Sequence, residues 1–319
     1  MIDLRSDTLS KPPAAMLAAM AAAEIGDEQY REDPTTNELQ RRTAELLGHE
    51  AALFVPTATM ANQIALRAQT TPGATLVAEE RTHTVVFEMG GPAIHSGLMV
   101  RALRGEAGRL TPEQIEEEPE LGRGGIVVLE NTHRSSGGRI WPLDEFRAAV
   151  DAAHEKGAIL HLDGARLFNA SVGAGLPPSA WAGLADSVTI CFSKGLACPT
   201  GAILAGSAEM IERAWESKFL FGGALRQSGV LAAAALYALD HHVDRLADDH
   251  AHARRLDPDA ETNFATMENR PGLKDELREH GLLVGDLKPG WLRAVTYLGI
   301  TDDDAEEAAS ILDEVHAHA

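Results

Sequence analysis

The sequence has few cysteines, no long apolar run and little positive charge. Two cysteines among 319 residues are too few for the disulfide framework that holds small secreted domains together. No apolar stretch approaches the roughly 20 residues that a membrane-spanning helix needs. The opening residues Met1-Ile2-Asp3 lack the basic and then apolar pattern of a signal peptide. These absences predict a cytoplasmic protein without a membrane partner.

Positive charge is scarce throughout the chain. There are 28 Lys and Arg residues against 48 Asp and Glu residues, which gives a net charge of −20. Such a surface repels nucleic acid, so a nucleic-acid partner is not expected either. An anionic ligand would need a locally positive site within this negative field. Hydrophobic residues are plentiful at 45%, enough for one large domain or two unequal ones.

Short apolar runs alternate with helical patterns over most of the chain. Six runs rich in Val, Ile and Leu predict buried strands, at 51–55, 74–78, 126–130, 158–163, 188–191 and 201–205. Between the runs, Thr35 and Glu38 have the spacing of a capping box, and Gly48 is placed to end the helix that they begin. The alternation predicts an α/β fold with a mostly parallel sheet and helices on both faces.

The pattern changes after about residue 228. An Ala-rich stretch predicts a long helix over Ser228–Leu246, and an acidic helix is predicted near 302–316. Between them lies a shorter segment of mixed helix and strand character. We therefore predict a large domain over residues 1–240, with an N-terminal arm over about 1–25, and a small α+β domain over 241–319.

Two reactive side chains follow predicted strands directly. Lys194 comes after the run at 188–191, and Asp163 ends the run at 158–163, three residues before Arg166. Ligands of open α/β sheets bind at the carboxyl ends of strands. A partly desolvated lysine there can form an imine with an aldehyde, and an aspartate can keep a pyridine nitrogen protonated. Taken singly, each segment also fits an ordinary turn or a helix cap.

Three further groups could serve the same site. Thr57, Ala58 and Thr59 lie between a strand and a helix, where they could bind a phosphate or simply cap the helix. His83 and His133 could stack on a cofactor ring or exchange a proton with a substrate hydroxyl, although each alone fits a structural role as well. No spacing of His, Cys or acidic residues fits a metal site, so no metal is expected.

Together and in this order, the segments resemble the threonine aldolase family of fold-type I enzymes that use pyridoxal 5′-phosphate (PLP). The motifs that carry the resemblance are Asp3-Leu4-Arg5-Ser6-Asp7-Thr8, Gly26-Asp27-Glu28, Glu32-Asp33-Pro34-Thr35, Glu130-Asn131-Thr132-His133, His161-Leu162-Asp163-Gly164-Ala165-Arg166, Ser193-Lys194-Gly195-Leu196 and Gly222-Gly223-Ala224-Leu225-Arg226-Gln227. The resemblance implies an aspartate-aminotransferase-like fold. It also implies retro-aldol cleavage of L-threonine, L-allo-threonine or related β-hydroxy-α-amino acids to glycine and an aldehyde.

The resemblance further implies which residues bind the cofactor. Lys194 would hold PLP as a Schiff base, Asp163 would pair with the pyridine nitrogen, and His83 would stack on the ring. Arg166 would approach the ring oxygen or the substrate carboxylate. The phosphate would be held by Thr57, Ala58 and Thr59.

The same resemblance implies substrate contacts and a shared site. Ser6 and Arg293 would bind the substrate carboxylate. Sites of this family lie between subunits, so a homodimer or homotetramer is expected. The residues that would reach a neighbouring site are Tyr30, Lys218 and Arg226. Either His83 or His133, with Glu88 nearby, would take the proton of the β-hydroxyl group, and the sequence leaves the choice between them open.

The chain departs from the family pattern at Arg31 and Ala58, where glycine is usual, and at Arg134, where asparagine is common. These departures bear on substrate preference more than on cofactor use. Four alternatives stay open. They are a PLP-dependent β-eliminating lyase, an aldolase that prefers bulkier β-hydroxy amino acids, a transaminase, and a homologue that binds PLP or a partner without catalysis.

Overall fold

The computed structural model describes residues 1–119, 121 and 124–317. The strands are β1 (Ile2–Leu4), β2 (Ala51–Val55), β3 (Thr75–Glu79), β4 (Met99–Leu103), β5 (Ile126–Glu130), β6 (Ile159–Gly164), β7 (Ser187–Cys191), β8 (Ala202–Gly206), β9 (Phe264–Glu268), β10 (Leu282–Lys288) and β11 (Trp291–Val295). The helices are α1 (Ala14–Ala21), α2 (Pro34–Leu47), α3 (Ala58–Gln69), α4 (His83–Val86), α5 (Gly91–Ser96), α6 (Pro112–Glu116), α7 (Leu143–Glu155), α8 (Leu167–Ala174), α9 (Ser179–Ala182), α10 (Ala208–Leu220), α11 (Gly229–His241), α12 (Leu246–Leu256), α13 (Leu273–Glu279) and α14 (Asp302–Ala317).

A seven-stranded sheet has the strand order β2-β8-β7-β6-β5-β3-β4. Only β8 runs antiparallel to its neighbours, so the prediction of a mostly parallel α/β sheet is confirmed. All six predicted strands are present, with ends shifted by no more than a residue. The edge strand β4 was not predicted, because most of its side chains are exposed and it has no continuous buried apolar run.

A second sheet of four strands has the order β1-β10-β11-β9. Strand β1 pairs in parallel with β10, with Ile2 opposite Leu282, so residues near both ends of the chain build this smaller region. Ile2 and Leu4 pack there against Leu277 and Leu312. The N-terminal arm thus contributes a strand to the smaller sheet, while the division near residue 240 stays a prediction.

The start of α2 differs from its predicted capping box. Asp33 caps the helix by accepting a hydrogen bond from the backbone N–H of Thr36 at 2.8 Å. Thr35 instead donates its hydroxyl to the carbonyl of Glu24 at 2.6 Å, so the expected pairing of Thr35 with Glu38 is wrong. Gly48 ends α2 as predicted, in the left-handed region at φ +78°, where a side chain would be strained.

The predicted long Ala-rich helix is also shorter than expected. Helix α11 ends at His241, and α12 begins separately at Leu246. The side chain of His242 makes a hydrogen bond with the carbonyl of Leu196, so a tertiary contact ends a helix that alanine alone would have continued.

Among the described helices, none is long and apolar enough to cross a membrane.

The two regions meet where β5, β6 and β7 end. Asn263, just before β9, donates a hydrogen bond to Asp7 at 3.3 Å, and His250 of α12 lies 3.0 Å from Asn169 of α8. The loops after the three parallel strands therefore face β11 and α12 across a shared boundary, which is where a ligand-binding crevice is expected.

Candidate active site

Two buried carboxylates end neighbouring parallel strands. Glu130 closes β5 and Asp163 lies near the end of β6, and they are paired residues in the sheet register. Both are almost fully buried. Glu130 accepts the backbone N–H groups of His83 and Arg134 at 2.7 and 2.8 Å, so it fixes the chain after β3 and after β5 together. The sequence motif that contains Glu130 gave this residue no predicted role.

Asn62 of α3 connects two acidic groups of the site. Its side-chain amide donates to Asp163 and to Glu88, each at 2.9 Å. Its carbonyl oxygen lies 3.1 Å from Nε2 of His161, whose Nδ1 lies 2.8 Å from the Ser187 hydroxyl. Burial lowers the pKa of His161 to about 4, so this imidazole is neutral and can donate to Asn62. Asn62 was missed because a mid-helix asparagine carries no pattern of its own.

His83 and Glu88 form a hydrogen-bonded pair. Nδ1 of His83 lies 3.0 Å from Glu88, whose other oxygen accepts the Gln63 amide at 2.5 Å. Because Glu88 accepts from the amides of Asn62 and Gln63, it acts as an acceptor towards His83 as well, and Nδ1 carries the proton. The free lone pair of His83 is therefore on Nε2. Burial lowers the pKa of His83, but the Glu88 hydrogen bond and the charges of Asp163 and Glu130 outweigh it and raise the pKa above its ordinary value.

His83, Glu88 and Asp163 also lie close enough to suggest a metal site. One ligand atom from each falls within 4.8 Å of the others. The amide of Asn62 donates to both carboxylates, and Nδ1 of His83 is hydrogen-bonded to Glu88, so these side chains already have partners in one another. Hydrogen bonds thus account for the cluster, and the expectation of no metal stays a prediction.

Lys194 lies three residues beyond β7, and its side-chain amino group has no partner among the described residues. Its carbonyl accepts the Ser10 hydroxyl at 2.6 Å and the N–H of Ala197 at 2.8 Å, which holds the backbone in a tight turn. The side chain is half-buried. Within the part of the chain that the structure describes, its Nζ makes neither a hydrogen bond nor an ion pair. A lysine held in this way is free to react.

Arg166 is fixed by a buried aspartate to which the sequence pattern assigned no role. Its Nε and Nη2 donate to the two oxygens of Asp7, each at 2.7 Å. Burial alone would raise the pKa of Asp7, but Arg166, Lys194 and Arg293 hold it at about 2. Asp7 thus uses the Nε and Nη2 edge of Arg166. The expected contact with a ring oxygen or a substrate carboxylate would have to use the other edge of the guanidinium group. Asp7 lies inside the opening motif, which was the one available signal.

Arg293 of β11 is buried without a partner. Its Nε and Nη1 are buried and make no hydrogen bond among the described residues. Burial and the charges of Arg134 and Arg166 lower its pKa to about 9. A buried cation without a counter-charge is costly, so this position favours an anionic ligand. That property fits the predicted contact of Arg293 with a substrate carboxylate.

Ser6 and the Thr57–Thr59 segment begin helical turns. The Ser6 hydroxyl accepts the N–H of Thr8 at 3.2 Å, and Thr57 caps α3 by accepting the N–H of Met60 at 3.2 Å. Thr57 and Thr59 are exposed and line an open cavity of about 580 Å³. Capping is therefore observed, and an exposed helix N-terminus beside a cavity is consistent with phosphate binding.

His133 lies away from open space. Its Nδ1 lies 2.9 Å from the Ser136 hydroxyl and its Nε2 lies 3.1 Å from Glu79. Burial lowers the pKa of His133, but Glu130 and Glu79 outweigh it, and the pKa is raised. A side-chain carbon added at Gly108 would collide with the His133 ring, so backbone packs directly over the imidazole. As placed, His133 is closed off from a substrate.

The three residues expected to reach a neighbouring subunit occupy different environments. Lys218 is fully buried and paired with Glu28, and burial lowers its pKa to about 7, so it cannot extend to a neighbour as placed. Arg226 is exposed and lies 3.2 Å from Asp27. Tyr30 is 74% exposed. Of these three residues, Tyr30 and Arg226 are therefore available at the surface.

Comparisons with known proteins extend over nearly the whole chain. The family described as β-eliminating lyase matches residues 3–277. The low-specificity L-threonine aldolase of Escherichia coli K12 is 37% identical, over 97% of this chain and 98% of that protein. Low-specificity L-threonine aldolase 1 of Arabidopsis thaliana is 35% identical, over 97% of this chain and 94% of that protein.

Among solved structures, the threonine aldolase of Leishmania major superposes with a TM-score of 0.85 over 99% of each chain. Its sequence is only 20% identical, so this match concerns the fold alone, and it confirms the expected fold class. The sequence matches confirm the resemblance that the ordered motifs predicted. The protein belongs to the β-eliminating lyase family, within its threonine aldolase group.

Proposed function

We propose that the protein cleaves β-hydroxy-α-amino acids, L-threonine and L-allo-threonine among them, to glycine and an aldehyde. One observation carries the proposal. His83 is oriented by the buried carboxylate of Glu88, next to Asp163 at the end of β6. Lys194 follows the neighbouring strand β7, and Arg293, a buried cation without an ion-pair partner among the described residues, influences Asp7 together with Lys194. The site thus combines a proton acceptor, an amine and an anion-binding group, which this reaction needs together.

The family implies PLP as the cofactor, and the residues of the site fit it. Lys194 has a free amine for the aldehyde carbon, and the buried carboxylate of Asp163 suits a protonated ring nitrogen. The exposed N-terminus of α3 at Thr57–Thr59 suits the phosphate. When bound, PLP supplies an electron sink for the pair of electrons released at the substrate Cα.

The protein's own residues orient the substrate and move its protons. Arg293 and the free edge of Arg166 would hold the α-carboxylate and so set the angle of the Cα–Cβ bond. Nε2 of His83 would take the proton of the β-hydroxyl group, because Nδ1 carries a proton of its own and donates it in the hydrogen bond to Glu88. We assign the base to His83 because its side chain is partly exposed, whereas His133 is enclosed.

We further propose a homo-oligomer, with the site at a subunit interface. Large apolar side chains are exposed around the cavity beside Thr57 and Thr59, among them Ile94, which is 74% exposed, and Leu220, which is 63% exposed. An apolar surface of this kind is typical of an interface.

We also place the protein in the cytoplasm, which agrees with the unpaired thiols of Cys191 and Cys198.

The deciding experiment is aldehyde release from L-threonine and L-allo-threonine by the PLP-saturated protein, with Lys194→Ala as control. Release by the wild type alone supports the proposal, and the ratio of the two rates gives the stereochemical preference. If PLP binds but neither substrate yields aldehyde, the aldolase proposal fails. An oxo-acid with ammonia as products would then indicate β-elimination.

A further inference from the structure

Three arginines meet in the site. Arg134 follows β5, Arg166 follows β6 and Arg293 lies on β11. The guanidinium carbons of Arg166 and Arg293 lie 5.0 and 5.4 Å from the centre of the Phe264 ring, so these two share one wall. Arg134 is near enough that its charge, added to burial, lowers the pKa of Arg293. This concentration of positive charge stands out in a chain with a net charge of −20.

The nearby acids neutralise only part of this charge. Asp7 pairs with Arg166 through both carboxylate oxygens. The two oxygens of Glu130 accept hydrogen bonds from the backbone N–H groups of His83 and Arg134, and neither forms an ion pair with an arginine in the described ranges. The guanidinium groups of Arg134 and Arg293 make no ion pair within the described residues, and each has at least one buried nitrogen without a hydrogen-bond partner. The guanidinium groups of Arg134 and Arg293 are therefore available to bind anionic groups of a ligand.

The two cations differ in burial and in their neighbours. Arg293 is the more deeply buried and shares its wall with Arg166, so it is suited to the α-carboxylate. Arg134 lies over the ring of Phe87 at 4.2 Å, and that ring is 5.5 Å from His83. The second cation thus lies beside the proposed base, where the substituents of the substrate Cβ would be.

We propose, building on the function proposed above, that Arg134 binds a second carboxylate carried on the β-carbon, and that the favoured substrates are β-hydroxy-α-amino dicarboxylic acids. With 3-hydroxy-L-aspartate, the Cα–Cβ bond breaks and the β-hydroxyl group loses its proton as it becomes a carbonyl. The electron pair left at Cα takes up a proton. The products are glycine and glyoxylate, and the reaction needs no oxidant or reductant.

Residue chemistry supports this assignment. A guanidinium group binds a carboxylate through two parallel hydrogen bonds, which fixes its orientation as well as adding affinity. Burial and the charge of Arg166 lower the pKa of Arg134, and a bound anion would relieve both effects.

The first test compares kcat/KM for 3-hydroxy-L-aspartate and for L-threonine. We expect the wild type to favour the dicarboxylate. Arg134→Gln should lower kcat/KM for it by roughly 10- to 100-fold, mainly through KM, and lower that for L-threonine by a smaller factor. Arg134→Lys keeps the charge but not the two parallel hydrogen bonds, so it should keep part of the preference. Arg147→Gln, which removes an exposed arginine of α7, is the matched control.

The second test measures binding without cleavage, by calorimetry on the PLP-loaded protein. L-aspartate and L-asparagine have nearly the same shape and differ in one charge, and neither carries a β-hydroxyl group. The wild type should bind L-aspartate more tightly, and Arg134→Gln should remove that preference.

Equal binding of the two amino acids by the wild type, with L-threonine cleaved at least as well as the dicarboxylate, overturns this inference and leaves the proposed function standing. Absence of cleavage of both hydroxy amino acids overturns the proposed function and this inference with it.

Discussion

At the scale of single residues, the protonation of His83 controls the proposed reaction. His83 can accept a proton only in its neutral form, and its pKa is raised. Activity should therefore fall as the pH drops through a value above about 6.5, the ordinary pKa of histidine. Glu88→Gln removes the negative charge that raises this pKa, so the acid limb of kcat/KM for L-threonine should move to lower pH, by roughly one unit.

The control for this experiment is Glu45→Gln, which removes an exposed carboxylate of α2. Gln63 has a buried carbonyl oxygen without a partner, so its amide can rotate to accept a hydrogen bond from the amide that Glu88→Gln introduces. An acid limb that stays in place in Glu88→Gln would mean that His83 is not the base.

Asp7 is a second residue whose charge has a measurable effect. Its pKa is lowered to about 2, so the stability that its ionised form contributes is present above its ordinary pKa of about 3.9 and is lost as the pH falls towards 2. Asp7→Asn leaves Arg166 without its counter-charge in a buried setting, which should lower the free energy of unfolding by about 3 kcal/mol at pH ~7. Urea denaturation measures the loss.

The deficit of Asp7→Asn should shrink at acid pH, because the wild type loses the same charge there. Asp3→Asn breaks another aspartate–arginine fork, with Arg5, that is largely exposed, and should cost less than about 1 kcal/mol. Equal losses in the two variants would contradict the assignment of Asp7 as a buried anchor of Arg166.

At this scale the sequence singled out the candidate reactive groups but not the residues that hold them in place. Lys194, Asp163 and Arg166 could be predicted because each follows a recognisable strand. Asp7 and Asn62 act through partners that are far away in the sequence, at Arg166 and at Asp163. Only the folded sheet brings such pairs together, so no local pattern indicates them.

At the scale of elements, the start of α2 depends on one side chain. Asp33 accepts three backbone N–H groups, from Gly26, Thr36 and Gly229, and is fully buried. Asp33→Ala removes a helix cap and leaves buried N–H groups unsatisfied, so the free energy of unfolding should fall by about 3 kcal/mol. Thermal and urea unfolding measure the change.

The matched control is Ser207→Ala, which removes the exposed cap of α10, where the serine accepts only the N–H of Met210. A loss of about 1 kcal/mol is expected there. If Asp33→Ala costs no more than this, the bonds to Gly26 and Gly229 contribute little.

Strand prediction succeeded where the chain is buried on both faces. Strands such as β5 read as continuous apolar runs, whereas β4 exposes most of its residues and gave no such signal. The capping residue of α2 was misplaced by two positions because Asp33 and Thr35 are both good caps. The choice between them is made by the backbone of Gly26 and Gly229, which the local sequence does not contain.

At the scale of the whole molecule, exposed apolar groups should control self-association. Leu220→Glu places a charge beside Ile94 and the cavity at Thr57 and Thr59. Because burying an unpaired charge is costly, the oligomer should dissociate, which analytical ultracentrifugation would show as a smaller sedimentation coefficient. Leu176→Glu, at an exposed leucine outside this cavity, is the control. An unchanged oligomer in Leu220→Glu would place the interface elsewhere.

The pairing of β1 with β10 also sets the order in which the site can be completed during synthesis. Ile2 leaves the ribosome early, yet its partner Leu282 follows only after the whole seven-stranded sheet has been made. Asp7 lies three residues beyond β1, and Arg293 lies on the strand after β10. We therefore expect the nascent chain to form its large sheet first and to acquire the ability to bind amino acids only near the end of translation.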